Sequence, residues 1–161
     1  AQRALQAQFE ARQVRKTYLA LVYGSLDPGD GEIRGPIGRD TRDRKRMAVV
    51  SAARGRMAVT RYETRAVYRA PTSGARLSLL ACHPLTGRTH QIRVHLAHIR
   101  HPIVADELYG ARRRLPVACP RQFLHAHGLR FRLPSSGAEL QLESPLPEDL
   151  AQVLHRLAPP G

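Results

Sequence analysis

The sequence predicts an α+β fold in which a mixed, largely antiparallel sheet is flanked by helices. Short runs rich in β-branched and aromatic residues recur along most of the chain, and turn-forming residues separate them. Helical spacing of apolar residues occurs near both ends and in one central stretch. With 161 residues, 42% of them hydrophobic, and no internal repeat or linker, the chain is expected to form one domain or most of one.

The first part of the chain predicts a helix, a strand and an exposed arm. Apolar residues three and four apart predict a helix over residues 1–14, and a start within a helix without Met or a cap indicates a fragment. Residues 16–24, KTYLALVYG, are typical of a strand and end in turn-forming residues. Residues 31–46 hold six basic residues with almost no apolar periodicity, which predicts an exposed arm that is either disordered or in contact with phosphate.

The rest of the chain predicts five more strands and two helices. The strands are expected at residues 46–50, 57–69, 75–85, 123–134 and 138–144. A central helix is expected over residues 89–99, with Thr89 as its N-cap and Pro102 beyond its end. A last helix is expected after the segment PLPED, because Leu150 and Val153 follow it at helical spacing.

The charge balance points to a polyanionic partner. Basic residues outnumber acidic ones by 26 to 13, and only Lys16 and Lys45 among them are lysines. Guanidinium groups bind phosphate through paired hydrogen bonds and stack on nucleic-acid bases. No stretch reaches the roughly 18 apolar residues of a membrane span. Two cysteines are too few for a disulfide framework, so we expect a cytoplasmic protein that does not enter a membrane.

The central helix carries an unusual cluster, because TGRTHQIRVHLAHIRHP (86–102) holds four histidines and three arginines. On a helix, Ile92 and Leu96 share a stripe that should pack, whereas His90 and Arg93 lie on a face left free. The stretch contains no carboxylate and no HExxH spacing, so no metal site is expected. The cluster fits either a nucleic-acid phosphate or a catalytic carboxylate held by Arg93.

Five segments, taken together, resemble the RluA-type family of RNA pseudouridine synthases. PLTGRTHQIRVHLAHIRHPIVADELYG (84–110) resembles the third signature motif of that family, and RKTYLALVYG (15–24) is similar to the motif with its active-site tyrosine. GRMAVTRYE (55–63), FLHAH (123–127) and SPLPEDL (144–150) resemble further segments in the same order. A string as long as TGRTHQIRVH is far more specific than a short pattern. Residues 1–161 are therefore expected to be the C-terminal portion of such a catalytic domain.

The resemblance implies an enzyme that isomerises uridine in RNA to pseudouridine without a cofactor or a metal. The family cleaves the N1–C1′ bond, turns the base and rejoins it through C5. The implied partner is RNA, with large-subunit ribosomal RNA preferred to transfer RNA, although the sequence does not decide between the two. A monomer is expected. An aspartate of an HRLD motif starts the reaction as nucleophile or base, and no HRLD occurs here. We expect it upstream of Ala1, so this portion alone is expected to be inactive. Asp106 is interpreted as a structural turn residue.

The resemblance also implies roles for individual residues. Tyr18 matches the family's motif tyrosine and would stack on the uracil, and Arg93 matches the arginine of QIR and would pair with the upstream aspartate. Arg88 and His90 would contact the RNA backbone or frame the pocket. Weaker candidates for phosphate contact, chosen on charge alone, are Arg15, Lys16, Arg39, Arg42, Lys45 and Arg46.

Two other functions stay open at this point. A synthase-like RNA-binding protein without catalytic activity would carry a residue other than Asp in the upstream HRLD position. A basic DNA-binding regulator would also suit the charge, although the sequence has neither a helix-turn-helix pattern nor zinc-finger spacing.

Overall fold

Seven strands form one sheet in the order β3-β2-β4-β5-β1-β6-β7, and each neighbouring pair is antiparallel. The structure, a computed structural model, describes residues 2–11, 13–110 and 114–159. The elements are α1 Gln2–Glu10, β1 Arg15–Tyr23, β2 Asp30–Arg39, β3 Met47–Val49, β4 Arg56–Arg69, β5 Arg76–Pro84, α2 Gln91–His98, β6 Leu124–Arg132, β7 Glu139–Glu143 and α3 Glu148–His155. The predicted α+β class is confirmed, with a helix near each end and one in the middle.

The exposed arm predicted for residues 31–46 was wrong for its first half, which is strand β2. This strand pairs with β4 from Asp30 to Ile37, and both Ile33 and Ile37 are buried. The residue between them on the same face is Gly35, whose missing side chain hides the apolar alternation. A Cβ there would lie 2.8 Å from Cγ1 of Val49, so glycine lets β3 approach closely.

The main core lies against the central strands, and both α2 and α3 contribute to it. The largest fully buried side chains include Leu21, Leu77, Leu80, Leu96, Phe123 and Leu150. Full burial of one such side chain contributes about 2 kcal/mol. A second, smaller core cluster consists of Ile37, Ala58, Val94 and Tyr109. It fixes the outer face of α2 against β2 and β4.

The start of α2 differs from the prediction. The helix begins at Gln91, and His90 holds the N-cap position in a left-handed conformation, with φ 55° and no side-chain cap. Thr89 is therefore not the N-cap. The Gln91 side chain instead orders the loop before the helix: its Oε1 accepts from the backbone N–H of Arg88 at 3.0 Å and from the Thr86 hydroxyl at 2.7 Å.

The same glutamine also fastens the helix to the sheet. Its Nε2 donates to the backbone carbonyl of Val59 at 2.9 Å and to the hydroxyl of Thr60 at 3.0 Å. One helical turn later, His95 is fully buried, and its Nδ1 lies 2.9 Å from the same Thr60 hydroxyl. These contacts hold α2 at a fixed position over β4, which fixes where Arg93 lies.

Candidate active site

A buried bidentate ion pair lies at the centre of the candidate site. Arg93 Nε donates to Asp106 Oδ2 at 2.8 Å, and Nη2 donates to Oδ1 at 2.9 Å. The Asp106 side chain is 0% exposed and that of Arg93 is 15% exposed. Asp106 Oδ1 also accepts the backbone N–H groups of Leu108 and Tyr109, each at 3.0 Å. The carboxylate therefore orders its own turn and the guanidinium together.

The pKa of Asp106 reflects a balance between burial and its donors. Burial raises the pKa, because it disfavours the charged form. The hydrogen bonds and charge of Arg93, together with the amides of Tyr109 and Leu108, outweigh that effect, so the pKa of Asp106 lies below its ordinary value. Asp106 is thus held as a carboxylate.

Tyr109 packs against this ion pair and links three segments. The guanidinium carbon of Arg93 lies 4.9 Å from the Tyr109 ring centroid, and that of Arg46 lies 5.4 Å away. The Tyr109 hydroxyl accepts the backbone N–H of Met47 at 3.0 Å and lies 2.8 Å from His90 Nδ1. We call His90, Arg93, Asp106 and Tyr109 the Arg93 cluster.

The surroundings of His90 lower its pKa and so favour the neutral imidazole. Burial lowers the pKa of His90 first, and the positive charge of Arg93 lowers it further, while Asp106 acts in the opposite direction. A neutral imidazole can accept a hydrogen bond from the Tyr109 hydroxyl at Nδ1. Its Nε2–H group then remains as a donor. His90 therefore offers one hydrogen bond without adding a charge.

Arg93 keeps part of its hydrogen-bonding capacity. A guanidinium carries five N–H groups, and the two bonds to Asp106 use Nε and one hydrogen of Nη2. Among residues 2–11, 13–110 and 114–159, no acceptor is hydrogen-bonded to Nη1. The helix face predicted to be free is thus partly occupied by Asp106, and Nη1 is the edge that can receive a second anion.

Tyr18 lies on the same side of the sheet as α2. The register pairs Tyr18 with Cys82 and Cys82 with Tyr62, and directly paired residues share a face. Thr60 is two residues before Tyr62 on that face, where it contacts His95 of α2. Tyr18 is half-buried and packs against the main core. Its predicted stacking role stays a prediction.

Two of the predicted RNA-contacting arginines line one open cleft. Arg39 and Arg88 border a cleft of about 530 Å³, together with Arg54 and Arg56. We call it the arginine cleft. Arg54 and Arg56 were not predicted as RNA contacts from the sequence. The segment GRM, a glycine turn followed by the exposed start of a strand, could have indicated them. The Nε atom of Arg88 is buried without a hydrogen-bond partner among the described residues.

The other candidates lie elsewhere. Arg15 and Lys16 line a groove of about 810 Å³ between the start of β1 and β6, which we call the β1–β6 groove. Arg42 is exposed in the loop after β2, where its backbone N–H binds Asp40 Oδ1 at 2.8 Å. In the same loop Lys45 is exposed, whereas Arg46 is half-buried against Tyr109.

Neither a metal-binding cluster nor a helix fit to span a membrane occurs in the part of the chain that the structure describes. No three His, Cys, Asp or Glu side chains of that part lie close enough together to hold a metal ion. No helix of the same residues is long and apolar enough to cross a bilayer.

Comparisons with known proteins point to one family. The sequence model of the family described as RNA pseudouridylate synthase matches residues 1–98. The chain is 44% identical to ribosomal large subunit pseudouridine synthase D of Xanthomonas campestris pv. campestris and 43% identical to that of Pseudomonas aeruginosa. These alignments cover 98% and 95% of this chain but 48% of each relative, so the chain spans about half their length.

Solved structures agree with the sequence comparison. Human RNA pseudouridylate synthase domain containing 1 superposes with a TM-score of 0.79 at 28% identity, over 96% of this chain and 63% of the human one. Human RNA pseudouridylate synthase domain containing 4 gives 0.73 at 26% identity, over 99% and 69%. The chain belongs to the RNA pseudouridylate synthase family, and the resemblance found in the sequence is confirmed.

Proposed function

We propose that the full-length protein isomerises specific uridines in RNA to pseudouridine, and that residues 1–161 form the C-terminal portion of its catalytic domain. The observation that carries the proposal is the Arg93 guanidinium, which Asp106 holds by two N–H groups while Nη1 is available to a second carboxylate. Large-subunit ribosomal RNA is the proposed substrate, because similar proteins are named as synthases of the ribosomal large subunit.

The proposed reaction balances without a cofactor. The N1–C1′ glycosidic bond of uridine breaks, the base turns, and a C5–C1′ bond forms. The hydrogen at C5 leaves as a proton and N1 gains a proton, so no electrons are exchanged with another molecule. The protein must extrude the base, hold a carboxylate at C1′ or near it, and move one proton.

In this proposal Arg93 orients the catalytic aspartate, which we expect in a segment preceding Ala1. Nη1 and the second hydrogen of Nη2 would donate to that carboxylate and keep it ionised where water is excluded. Because Asp106 fixes the guanidinium in advance, little reorganisation is needed during the reaction, which is the condition for strong electrostatic stabilisation. Asp106 itself has no remaining exposure and is not proposed to touch the substrate.

Tyr18 is proposed to stack on the flipped uracil and to assist removal of the C5 proton. An enzyme acting on a base within folded RNA must unstack it, and stacking on an aromatic ring offsets part of that energy. The support is positional, since Tyr18 is on the side of the sheet that α2 covers. Arg88 and His90 are proposed to contact the RNA beside the pocket.

The remaining proposed contacts are with RNA phosphates. They involve Arg15, Lys16, Arg39, Arg42, Lys45 and Arg46. We further propose that the enzyme acts as a monomer in the cytoplasm, where it would meet ribosomal RNA.

The test uses the full-length protein and ribosomal RNA that carries tritium at C5 of uridine. We expect stoichiometric tritium release, and the variant Arg93→Ala should lose it while its Kd for RNA changes less than about threefold, because its proposed partner is a protein carboxylate. RNA binding without tritium release would favour an inactive RNA-binding protein. Preference for duplex DNA over structured RNA at matched salt would favour a DNA-binding regulator.

A further inference from the structure

Three open grooves join along one end of the sheet. The β1–β6 groove shares Val14, Lys16, Pro84 and Leu85 with a smaller groove beside α1. That smaller groove shares Gly87 and Arg88 with the arginine cleft. Shared walls make the three grooves one continuous surface, which we call the basic track.

The basic track passes around the end of the sheet. At its first end, Thr17 and His83 lie one residue away from Tyr18 and Cys82, so they are on the face opposite α2. In the middle the track crosses the ends of β1 and β5 at Val14 and Pro84. At its other end it reaches the loop before α2, which leads into the Arg93 cluster.

The charge along the basic track is largely uncompensated. Among the described residues, no carboxylate lies within 4.0 Å of the cationic groups of Arg15, Lys16, Arg54, Arg56 and Arg88. The arginines that do have partners are at the first end, where Arg65 binds Glu63 at 2.8 Å. Two carboxylates also line the track, Glu143 in the β1–β6 groove and Glu10 in the smaller groove, whereas no carboxylate is among the described residues that line the arginine cleft. The positive charge is therefore least compensated in the arginine cleft.

The shape of the basic track favours a polymer over a small anion. Its cationic groups follow one another around a sheet end instead of converging on a single point, and its grooves are open to solvent. Leu85, at the middle, is 38% exposed and offers an apolar surface to a ribose or base. Arginines spaced along a groove, with an exposed apolar side chain between them, suit single-stranded RNA, because the arginines can bind phosphates and the apolar side chain can contact a ribose or base.

We propose that the basic track binds the phosphate backbone of the RNA strand that flanks the target uridine, with Arg54 and Arg56 at the end nearer α2 and Arg15 and Lys16 at the other. This inference rests on the proposed function for the identity of the RNA. It adds a strand path and two residues, Arg54 and Arg56, to the site.

The experiment compares double variants of the full-length protein. Arg54→Gln/Arg56→Gln and Arg15→Gln/Lys16→Gln each remove two charges from the basic track. The matched control is Arg69→Gln/Arg76→Gln, an exposed cross-strand pair at the opposite end of β4 and β5. All six side chains are on the surface or half-buried, and thermal unfolding confirms that each variant is folded.

Binding is measured by fluorescence anisotropy with a ribosomal RNA fragment at several salt concentrations. Each track variant should raise Kd about tenfold and reduce the slope of log K against log salt by about 0.7 for each phosphate that the protein no longer neutralises, whereas the control stays within about twofold of wild type. Track variants that match the control at every salt concentration overturn the proposal.

Truncated RNA tests the direction of the strand. Removing the nucleotides on one side of the target uridine should abolish the effect of one double variant and preserve that of the other. Equal effects of both variants on the truncated RNA would refute a single path. Because Kd is measured without turnover, track-dependent binding with no tritium release would retain the track and reject the isomerase.

Discussion

Two arginine–aspartate pairs in this chain have nearly the same geometry and different surroundings. Arg93 binds Asp106 at 2.8 and 2.9 Å, and Arg121 binds Asp149 at 2.8 and 3.3 Å. The first pair is 15% and 0% exposed, whereas the second is 43% and 41% exposed. Their geometry alone would predict equal contributions from the two ion pairs. Water screens the exposed pair Arg121–Asp149, however, and does not screen the buried pair Arg93–Asp106.

The neighbours of each aspartate deepen this difference. Asp106 also accepts two backbone N–H groups, and its arginine packs on Tyr109. Asp149 accepts the N–H of Leu150 besides its arginine, at the exposed start of α3. Hydrogen bonding by arginine lowers the pKa of both carboxyl groups, but only at Asp106 does it act against a substantial effect of burial. Removing a charge from the Arg93–Asp106 pair should therefore have a larger effect than removing one from the Arg121–Asp149 pair.

The largest expected difference concerns turnover. Arg93→Ala should lower kcat about 10³-fold, the loss that follows removal of a preorganised electrostatic donor. Arg121→Ala should leave kcat unchanged within about twofold. Single-turnover tritium release at saturating RNA measures both. Similar losses in the two variants would mean that Arg93 does not act at the reacting centre.

The next difference concerns stability. Asp106→Asn keeps an oxygen for the backbone amides but leaves Arg93 buried without its counter-charge, so the free energy of unfolding should fall by about 3 kcal/mol. Asp149→Asn should cause no measurable change, because both groups are exposed. Urea denaturation checks both variants, and equal stabilities of the two would contradict the contrast between the pairs.

A smaller effect is expected for the ring that packs on Arg93. Tyr109→Phe keeps the ring but removes the acceptor for Met47 N–H and the contact with His90 Nδ1. The free energy of unfolding should fall by about 1 kcal/mol. The control is Tyr68→Phe, since the Tyr68 hydroxyl has no hydrogen bond within the described residues. A larger loss of unfolding free energy in Tyr68→Phe than in Tyr109→Phe would contradict the stabilising role of the Tyr109 hydroxyl.

The smallest expected effect is a pH dependence of stability that comes from two buried or half-buried histidines, not from the titration of either aspartate. Burial lowers the pKa of both His90 and His95 below the ordinary value of 6.5. Below about pH 6.5 these histidines take up protons in the unfolded chain but not in the folded chain. Their contribution to the free energy of unfolding is therefore fully present above about pH 6.5 and is lost as the pH decreases. Both aspartates stay ionised there. Melting temperatures from pH 7.5 to 5.5 should fall in wild type and fall less in His95→Gln; equal slopes in the two would exclude His95.

The sequence predicted the sheet and the apolar stripe of α2, because both depend on local periodicity. Strand β2 was missed because Gly35 interrupts that periodicity on its inward face. The helix start was misplaced because His90 holds the N-cap position in a left-handed conformation without a side-chain cap. The Gln91 side chain, at the first helical position, binds the preceding loop. Neither feature follows from a local sequence pattern.

The site was predicted in part. Arg93 and Tyr18 came from resemblance, and their proposed roles stay predictions. The partner that Arg93 has in the structure did not follow from spacing, because Asp106 reaches it only through the turn after Pro102. The arginine cleft could not be predicted from the sequence for the same reason. Arg54 and Arg88 are distant in sequence and come together only when β4 and the loop before α2 are in place.

Arg93 and Asp106 are 13 residues apart, whereas Thr17 of β1 and His83 of β5 meet across 66 residues. Closing the shorter loop costs less chain entropy, by about 1.5 RT times the logarithm of the length ratio. In folding kinetics, the turn around Asp106 is therefore expected to form before β1 joins the sheet. In pulse-labelling hydrogen exchange, the amides of Leu108 and Tyr109 should acquire protection ahead of those of β1. The arginine would then hold its orientation before a pocket exists around it.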